Sequence, residues 1–339
     1  MKVIRTVDAV GHVLCHDMTR IIPGVSKDAP FRKGHTVTKE DIPLLLSMGK
    51  DTLYVWEKEE GMLHEDEAAI LLYELCRNDS MQGTEVKEGK IQLIAAADGL
   101  LKVNTEALNR INSLGEIIIA SRHGNFPVRK GDKLAAARVI PLVIHEDKLK
   151  EAGRLAGAEP LLKVLPFRKK KAAVIITGNE VYYGRIQDAF GPVIRRKLAE
   201  YETEVISQQI VNDDTQRITE AIHKAIAEGA ELIACTGGMS VDPDDTTPTA
   251  IKNSGARLVS YGAPVLPGAM FLLAYYGEKI PVLGLPGCVM YSRRTIFDLI
   301  LPRVLAGEIL KAEDLWVLGE GGLCLECPEC VFPNCSFGK

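Results

Sequence analysis

Hydrophobic and polar positions change their period along this chain, and the changes divide it. Over the first sixty residues, short β-rich pieces alternate with turn signals: 1–7 and 11–14 read as strands, Phe31, Lys33 and Gly34 mark a turn, Thr38 caps a helix over 41–47, and 52–56 reads as a strand. A charged break over 57–61 follows. Residues 64–76 then carry Ala68, Ile70, Leu71, Leu72 and Leu75 at helical spacing, which opens a second unit. That unit continues with a strand over 91–96, a turn at Asp98 and Gly99, a helix over 105–112, and strands over 117–120 and 134–144. The basic run Arg168, Lys169, Lys170 and Lys171 reads as a solvated linker.

From Ala172 the pattern becomes strand, loop, helix in regular succession. Strands are expected over 172–176, 203–211 and 232–235, and helices over 190–200 and 215–228. Such alternation predicts right-handed crossovers and a doubly wound α/β fold whose mostly parallel sheet is covered on both faces. The expected organisation is a mixed α/β unit over 1–60, an α+β unit over 61–168, the α/β domain over 169–310 and a cysteine-rich tail over 311–339.

Composition narrows the function classes. The chain has 339 residues, 46% of them hydrophobic and 25% charged, which is a globular balance with room for several domains. A net charge of −4 offers no sequence-wide attraction for nucleic acid or anionic lipid, so neither is an expected partner. No apolar run approaches the roughly 18 to 20 residues needed to cross a bilayer, and residues 1–4 lead straight into a strand rather than a secretory signal. A cytoplasmic location is expected. Of the eight cysteines, Cys15, Cys76, Cys235 and Cys288 are scattered, while Cys324, Cys327, Cys330 and Cys335 crowd the C-terminal end. This asymmetry suits a metal or redox tail on a reduced body.

In a parallel sheet, ligands sit beyond the carboxyl ends of the strands. After the third strand of the α/β domain come Thr236, Gly237, Gly238, Met239 and Ser240, then Asp242, Asp244 and Asp245. The glycines let backbone N–H groups approach an anion, and the carboxylates suit a hard cation such as Mg²⁺. A solvated acidic loop with Asp245 or Thr247 capping the next helix is the plainer alternative. The second loop gives Asp213 and Asp214, one of them a helix cap; the first gives Thr177, Gly178, Asn179, Glu180 and Asp188.

Five spaced segments, ITGNEV, GRIQD, VNDDTQRI, CTGGMSVDPDD and VLGLPG, resemble the molybdopterin-binding domain shared by MoeA-type molybdotransferases, gephyrin, MogA-type adenylyltransferases and the CinA family. The domain order is most similar to MoeA. The resemblance implies that Thr177, Gly178, Asp188, Thr236, Gly237, Gly238, Ser240, Pro286 and Gly287 bind molybdopterin or its adenylated form. Catalytic candidates are Asp213, Asp242, Asp245 and Glu180, with Mg²⁺ on Asp213, Asp214 and Asp245. Pro286 and Gly287 would open a helix over 289–305 whose free N–H groups face an anion. The departures are Asn179 where the family has Asp, Ala189-Phe190 where it has Ser-Asn, and Cys288-Val289 after the LPG turn.

The implied function is molybdenum cofactor biosynthesis or handling. One form is a molybdotransferase that inserts molybdate with Mg²⁺. The alternatives are a non-catalytic molybdopterin or molybdate carrier or sensor serving a client molybdoenzyme, and a CinA-like nucleotide pyrophosphatase. A homo-oligomer is expected by the same resemblance. In the tail, the spacing C-x2-C-x2-C-x4-C fits either a [4Fe–4S] cluster or tetrahedral Zn²⁺ on Cys324, Cys327, Cys330 and Cys335. His12 and His16 read as surface residues and Trp56 and Trp316 as packing residues. Cys288 reads either as an activated thiolate at a helix start or as a small apolar filler.

Overall fold

The computed structural model describes residues 2–22, 26–55, 60–240, 242 and 245–339. Trp56, the residues 57–59 of the charged break, Val241, Pro243 and Asp244 lie outside them. The chain divides into two compact units. One comprises residues up to Ala96 with Val103–Arg122 and Lys130–Lys163; the other comprises Ala97–Lys102, His123–Arg129 and Val164–Lys339. Of the four segments drawn from the sequence, 1–60 and most of 61–168 fall in the first unit, while 169–310 and the cysteine-rich end fall in the second.

In the first unit, Lys2–Arg5 pairs antiparallel with Thr52–Val55, and the core beside them gathers Leu14, Met18, Phe31, Val37, Leu45 and Leu53. The segment 11–14 forms only isolated bridges, Val13 to Thr36 and Leu14 to Val55. A second, antiparallel sheet runs Met81–Gly83, Lys90–Ala95, Lys133–Val139 and Ile117–Ser121 in spatial order. The expected long strand over 134–144 is split at Val139 and resumes at Val143–His145. Pro141 between them lacks the N–H a ladder needs. Helix Glu65–Cys76 is closed by a capping box between His64 and Glu67.

The second unit is built on a six-stranded sheet. In chain order its strands are Lys171–Thr177, Glu204–Val211, Leu232–Thr236, Arg257–Tyr261, Leu272–Tyr276 and Ile280–Leu285, and in space they run second, first, third, sixth, fifth, fourth. The first four of these in space are parallel; the last two pairings are antiparallel. Alternation along the first strand sends Ala172, Val174 and Ile176 to one core, and Ala173 and Ile175 to the other. Helices Phe190–Ala199 and Ile296–Leu305 cover the first face, while Thr215–Ala227 and Thr247–Asn253 cover the second. Burying each of these branched side chains stabilises the fold by roughly 1.5–3 kcal/mol.

The helix expected over 289–305 starts later. Residues Gly287–Met290 form a 3₁₀ turn, and the α-helix begins at Ile296 under a capping box of Thr295 and Asp298. The Asp298 carboxylate accepts from Thr295 N–H at 2.8 Å, and Pro267 O accepts from Ile296 N–H at 3.2 Å. That start signal fixes the helix end seven residues beyond the expected one. Trp316, expected in packing, is 61% exposed at the end of the short helix Ala312–Trp316.

Candidate functional site

The parallel strands end level. Thr177 pairs with Val211, Ile176 with Thr236, and Thr236 with Leu285, so the loops at 178, 212, 237 and 286 leave one edge together. Gly237 and Gly238 both have positive φ, 87° and 55°. A Cβ on Gly237 would collide with the Thr177 carbonyl, so only glycine fits there. Thr247 ties the loops together: its hydroxyl donates to Gly237 O at 2.9 Å and lies 3.1 Å from the Thr177 hydroxyl, while its N–H donates to Gly238 O at 3.2 Å. At this edge the Thr236 hydroxyl is fully buried, and neither it nor the Asn212 side-chain carbonyl has a hydrogen-bond partner among the described residues. Buried polar atoms are ordinarily satisfied, so unpaired ones beside a glycine cradle suit a polar ligand.

The carboxylates are placed differently from one another. Asp213 accepts from Asn179 N–H at 2.8 Å, and the Thr246 hydroxyl donates to Asp213 O at 3.0 Å, which holds the second and third loops side by side. Asp214 accepts from Arg217 N–H at 2.9 Å and caps helix Thr215–Ala227, so it is the cap of the pair. Asp245 accepts from Asp242 N–H at 2.9 Å in a tight turn. Asp188 accepts from Phe190 and Gly191 N–H at 2.8 and 3.0 Å and from the Gln208 amide at 3.2 Å. Glu180 is exposed, and Ser240 is exposed at the loop surface. Among the described residues no three His, Cys, Asp or Glu side chains are grouped to hold a metal ion, so the expected Mg²⁺ set of Asp213, Asp214 and Asp245 is not assembled as such.

Residues 173–306 match the family model described as "Probable molybdopterin binding domain". That segment belongs to the molybdopterin-binding domain family. Residues 3–57 match a second model, a domain of unknown function (DUF8806). Among curated relatives, a molybdenum cofactor biosynthesis bifunctional protein of Synechococcus elongatus is 36% identical over 85 residues, 25% of this chain and 27% of that protein. A molybdopterin molybdenumtransferase of Staphylococcus epidermidis is 26% identical over 167 residues, 47% of this chain and 39% of that one. The chain thus spans well under half the length of these two relatives. A solved structure of the molybdopterin biosynthesis enzyme MoaB from Thermus thermophilus aligns over 42% of this chain and 99% of its own, at 23% identity and a TM-score of 0.35.

Within the molybdopterin-binding domain, Pro286 is buried and Gly287 exposed at the end of the sixth strand, beside the third loop. The α-helix does not begin there, so the expected helix-end anion site at Pro286 and Gly287 is replaced by a 3₁₀ turn. Burial pushes the Cys288 thiol up, against the thiolate reading. Sequence reasoning missed Thr247 as the clamp of the glycine loop, having read it only as a helix cap. It also missed Tyr261, whose hydroxyl donates to Met239 O at 3.0 Å from the edge strand. Threonine at a predicted helix start was the only signal for the first; nothing local marked the second.

The cysteine-rich end is part of this unit's core. Phe337 is 2% exposed and packs with Phe126, Leu299 and Val289 in the same cluster. Cys324 N–H donates to Leu266 O at 2.8 Å, and Gly338 N–H to Gly321 O at 2.8 Å. Cys324, Cys327, Cys330 and Cys335 are unpaired thiols that line one cavity of about 340 Å³.

Proposed function

We propose that the level edge at Thr177, Gly178, Thr236, Gly237, Gly238, Ser240, Pro286 and Gly287 binds molybdopterin or its adenylated form, and that the protein acts in molybdenum cofactor biosynthesis or handling. The observation that carries this reading is the buried Thr236 hydroxyl, without a partner among the described residues, beside a glycine pair at which a Cβ would meet the Thr177 carbonyl and the Thr247 hydroxyl. The residues fit the ligand: the glycine backbone can meet a phosphate, and the orphaned hydroxyl can donate to one of its oxygens.

Mg²⁺ characteristically uses one or two protein carboxylates, substrate phosphates and water rather than an all-protein cage. On this reading Asp213 and Asp245 would hold it once the phosphate is present, and the ion would supply charge neutralisation at the phosphate. Asp242 holds the Asp245 turn, and Asp214 and Asp188 keep their helix-capping roles. Glu180 lies beside Gly178, where its carboxylate can accept from a ligand hydroxyl. The tail adds a metal centre, iron–sulfur or zinc. Molybdate insertion is the catalytic form of the proposal, carriage to a client molybdoenzyme the non-catalytic one, and a cytoplasmic homo-oligomer is the setting for both.

The test is to purify the protein anaerobically from cells that make molybdopterin and to quantify bound pterin. About one pterin per chain, lost in Gly237→Ala, is the expected result. A pterin-free protein that also fails to take up added molybdopterin overturns the proposal. Mg²⁺- and molybdate-dependent release of AMP from adenylated molybdopterin then separates the transferase from the carrier.

A further inference from the structure

The turn that leaves the first parallel strand carries a surface that a phosphate in the glycine loop does not use. Asn179–Tyr182 forms a single helical turn, in which Tyr182 N–H donates to Gly178 O at 2.9 Å and Tyr183 N–H to Asn179 O at 3.0 Å. Gly178 follows Thr177, whose carbonyl stands so close to Gly237 that no Cβ fits between them. The two tyrosines therefore begin one helical turn, about 5.4 Å of rise, beyond the residues that border the glycine loop. They fall between the segments ITGNEV and GRIQD, outside the positions that carry the family resemblance.

Four side chains from this turn and the neighbouring helix are stacked in series. Arg217, in the first turn of helix Thr215–Ala227, donates to the Tyr182 hydroxyl at 2.9 Å and lies 5.9 Å over its ring. The Tyr182 and Tyr183 rings meet edge to face, their centroids 5.2 Å apart and their planes at 83°. Arg185 in turn lies 5.3 Å over the Tyr183 ring. Arg217 and Tyr182 have a structural task, since their bond fastens the first loop to the helix after the second. Tyr183 and Arg185 fasten nothing further: Tyr183 is 60% exposed, Arg185 is exposed, and neither guanidinium joins an ion pair among the described residues. Aromatic rings and guanidinium planes both stack planar heterocycles, and a side chain already ordered by its neighbour loses less freedom on binding. An arginine without a carboxylate partner also keeps its charge for an anionic ligand.

We propose that Tyr183 and Arg185, braced by Tyr182 and Arg217, stack the planar nitrogen heterocycle of the ligand whose phosphate lies in the glycine loop. The ligand class is a phosphate-bearing heterocycle, a chemistry shared by a pterin and a nucleobase. The inference rests on the reading of the level edge as a phosphate site and adds to it the residues that tell such a ligand from a bare phosphate ester.

The experiment is calorimetric titration of the full chain with AMP, ribose 5-phosphate and molybdopterin, the second of which carries a phosphate and no heterocycle. Tyr183→Leu should weaken AMP, molybdopterin or both about tenfold while leaving ribose 5-phosphate and the thermal midpoint unchanged. Tyr183→Phe, which keeps the ring, should bind as the parent chain does. Loss confined to AMP assigns the surface to a nucleobase, and loss confined to molybdopterin assigns it to a pterin. If Tyr183→Leu binds both as the parent chain does, or weakens ribose 5-phosphate equally, the stacking role is overturned and the phosphate site stands. Gly237→Ala separates the two readings, since it should lose all three probes. A parent chain that binds none of them overturns the phosphate site together with this surface.

Discussion

Thr236 carries a hydroxyl that the fold buries and that has no partner among the described residues, an arrangement that costs stability unless a ligand uses it. Thr236→Val should leave thermal stability unchanged or raise it by about 1 kcal/mol, while weakening pterin binding about tenfold or more. Calorimetric unfolding and pterin titration of the same variant check both halves. His16 gives a second residue-level prediction. Burial, followed by the Lys50 and His64 charges, holds its imidazole below the ordinary histidine range against the pull of Asp17, and its Nδ1 is buried without a partner among the described residues. The folded state thus resists protonation. Stability on this account is complete above about pH 6.5 and falls as pH drops through the depressed folded value. His16→Gln should flatten that part of the profile in denaturant titrations at pH 5 to 7. The surface role read for His16 from its strand context failed because nothing local encodes the packing around it.

At the scale of elements, the parallel half of the sheet could be read because each strand writes its two faces in alternate residues. Val174 and Ile175 are both fully buried, on opposite cores, so the run 172–176 admits only a central strand. The antiparallel strands Arg257–Tyr261 and Leu272–Tyr276 were not anticipated, since their pairing depends on partners distant in sequence. The late start of helix Ile296–Leu305 was likewise hidden, because Thr295 and Asp298 make a start signal only when the chain upstream is extended. Asp298 does more than cap. Lys197 donates to both its oxygens at 2.7 Å, and the two side chains are 6% and 3% exposed, which joins helix Phe190–Ala199 to helix Ile296–Leu305. Lys197→Met leaves the Asp298 carboxylate to Arg294 and the Thr295 N–H, so it should cost about 1–3 kcal/mol, and replacing Asp298 with Leu as well should cost more, because the helix cap and the Arg294 pair go with it. Urea midpoints of the single and double variants decide this. In the site, the glycine loop and Asp213 were legible from spacing and resemblance; Thr247 was not, because its value lies in joining two loops.

At the scale of the whole molecule, each unit carries a carboxylate that the fold holds ionised. Burial alone would raise Asp17, but the Lys33 N–H and the Arg32 guanidinium outweigh it and keep it below the usual range. In the second unit burial likewise opposes, and the Lys311 N–H and Arg303 overcome it at Asp314. Both contribute stability that is full above about pH 4 and disappears as pH falls through the lowered folded values. Acid titration followed by a probe in each unit should therefore show both losing stability in the same window below about pH 4, and Asp314→Asn should remove that loss from the second unit alone. The level strand ends at Thr177, Val211, Thr236 and Leu285 have a historical consequence. Loops that depart from a common ledge can exchange residues without disturbing the ladder beneath, so an Asn179 can take the place of an Asp, or a Cys288 follow the LPG turn, at little cost to the sheet. Such an edge is open ground for descent with modification: ligand preference can drift there while the scaffold is inherited intact.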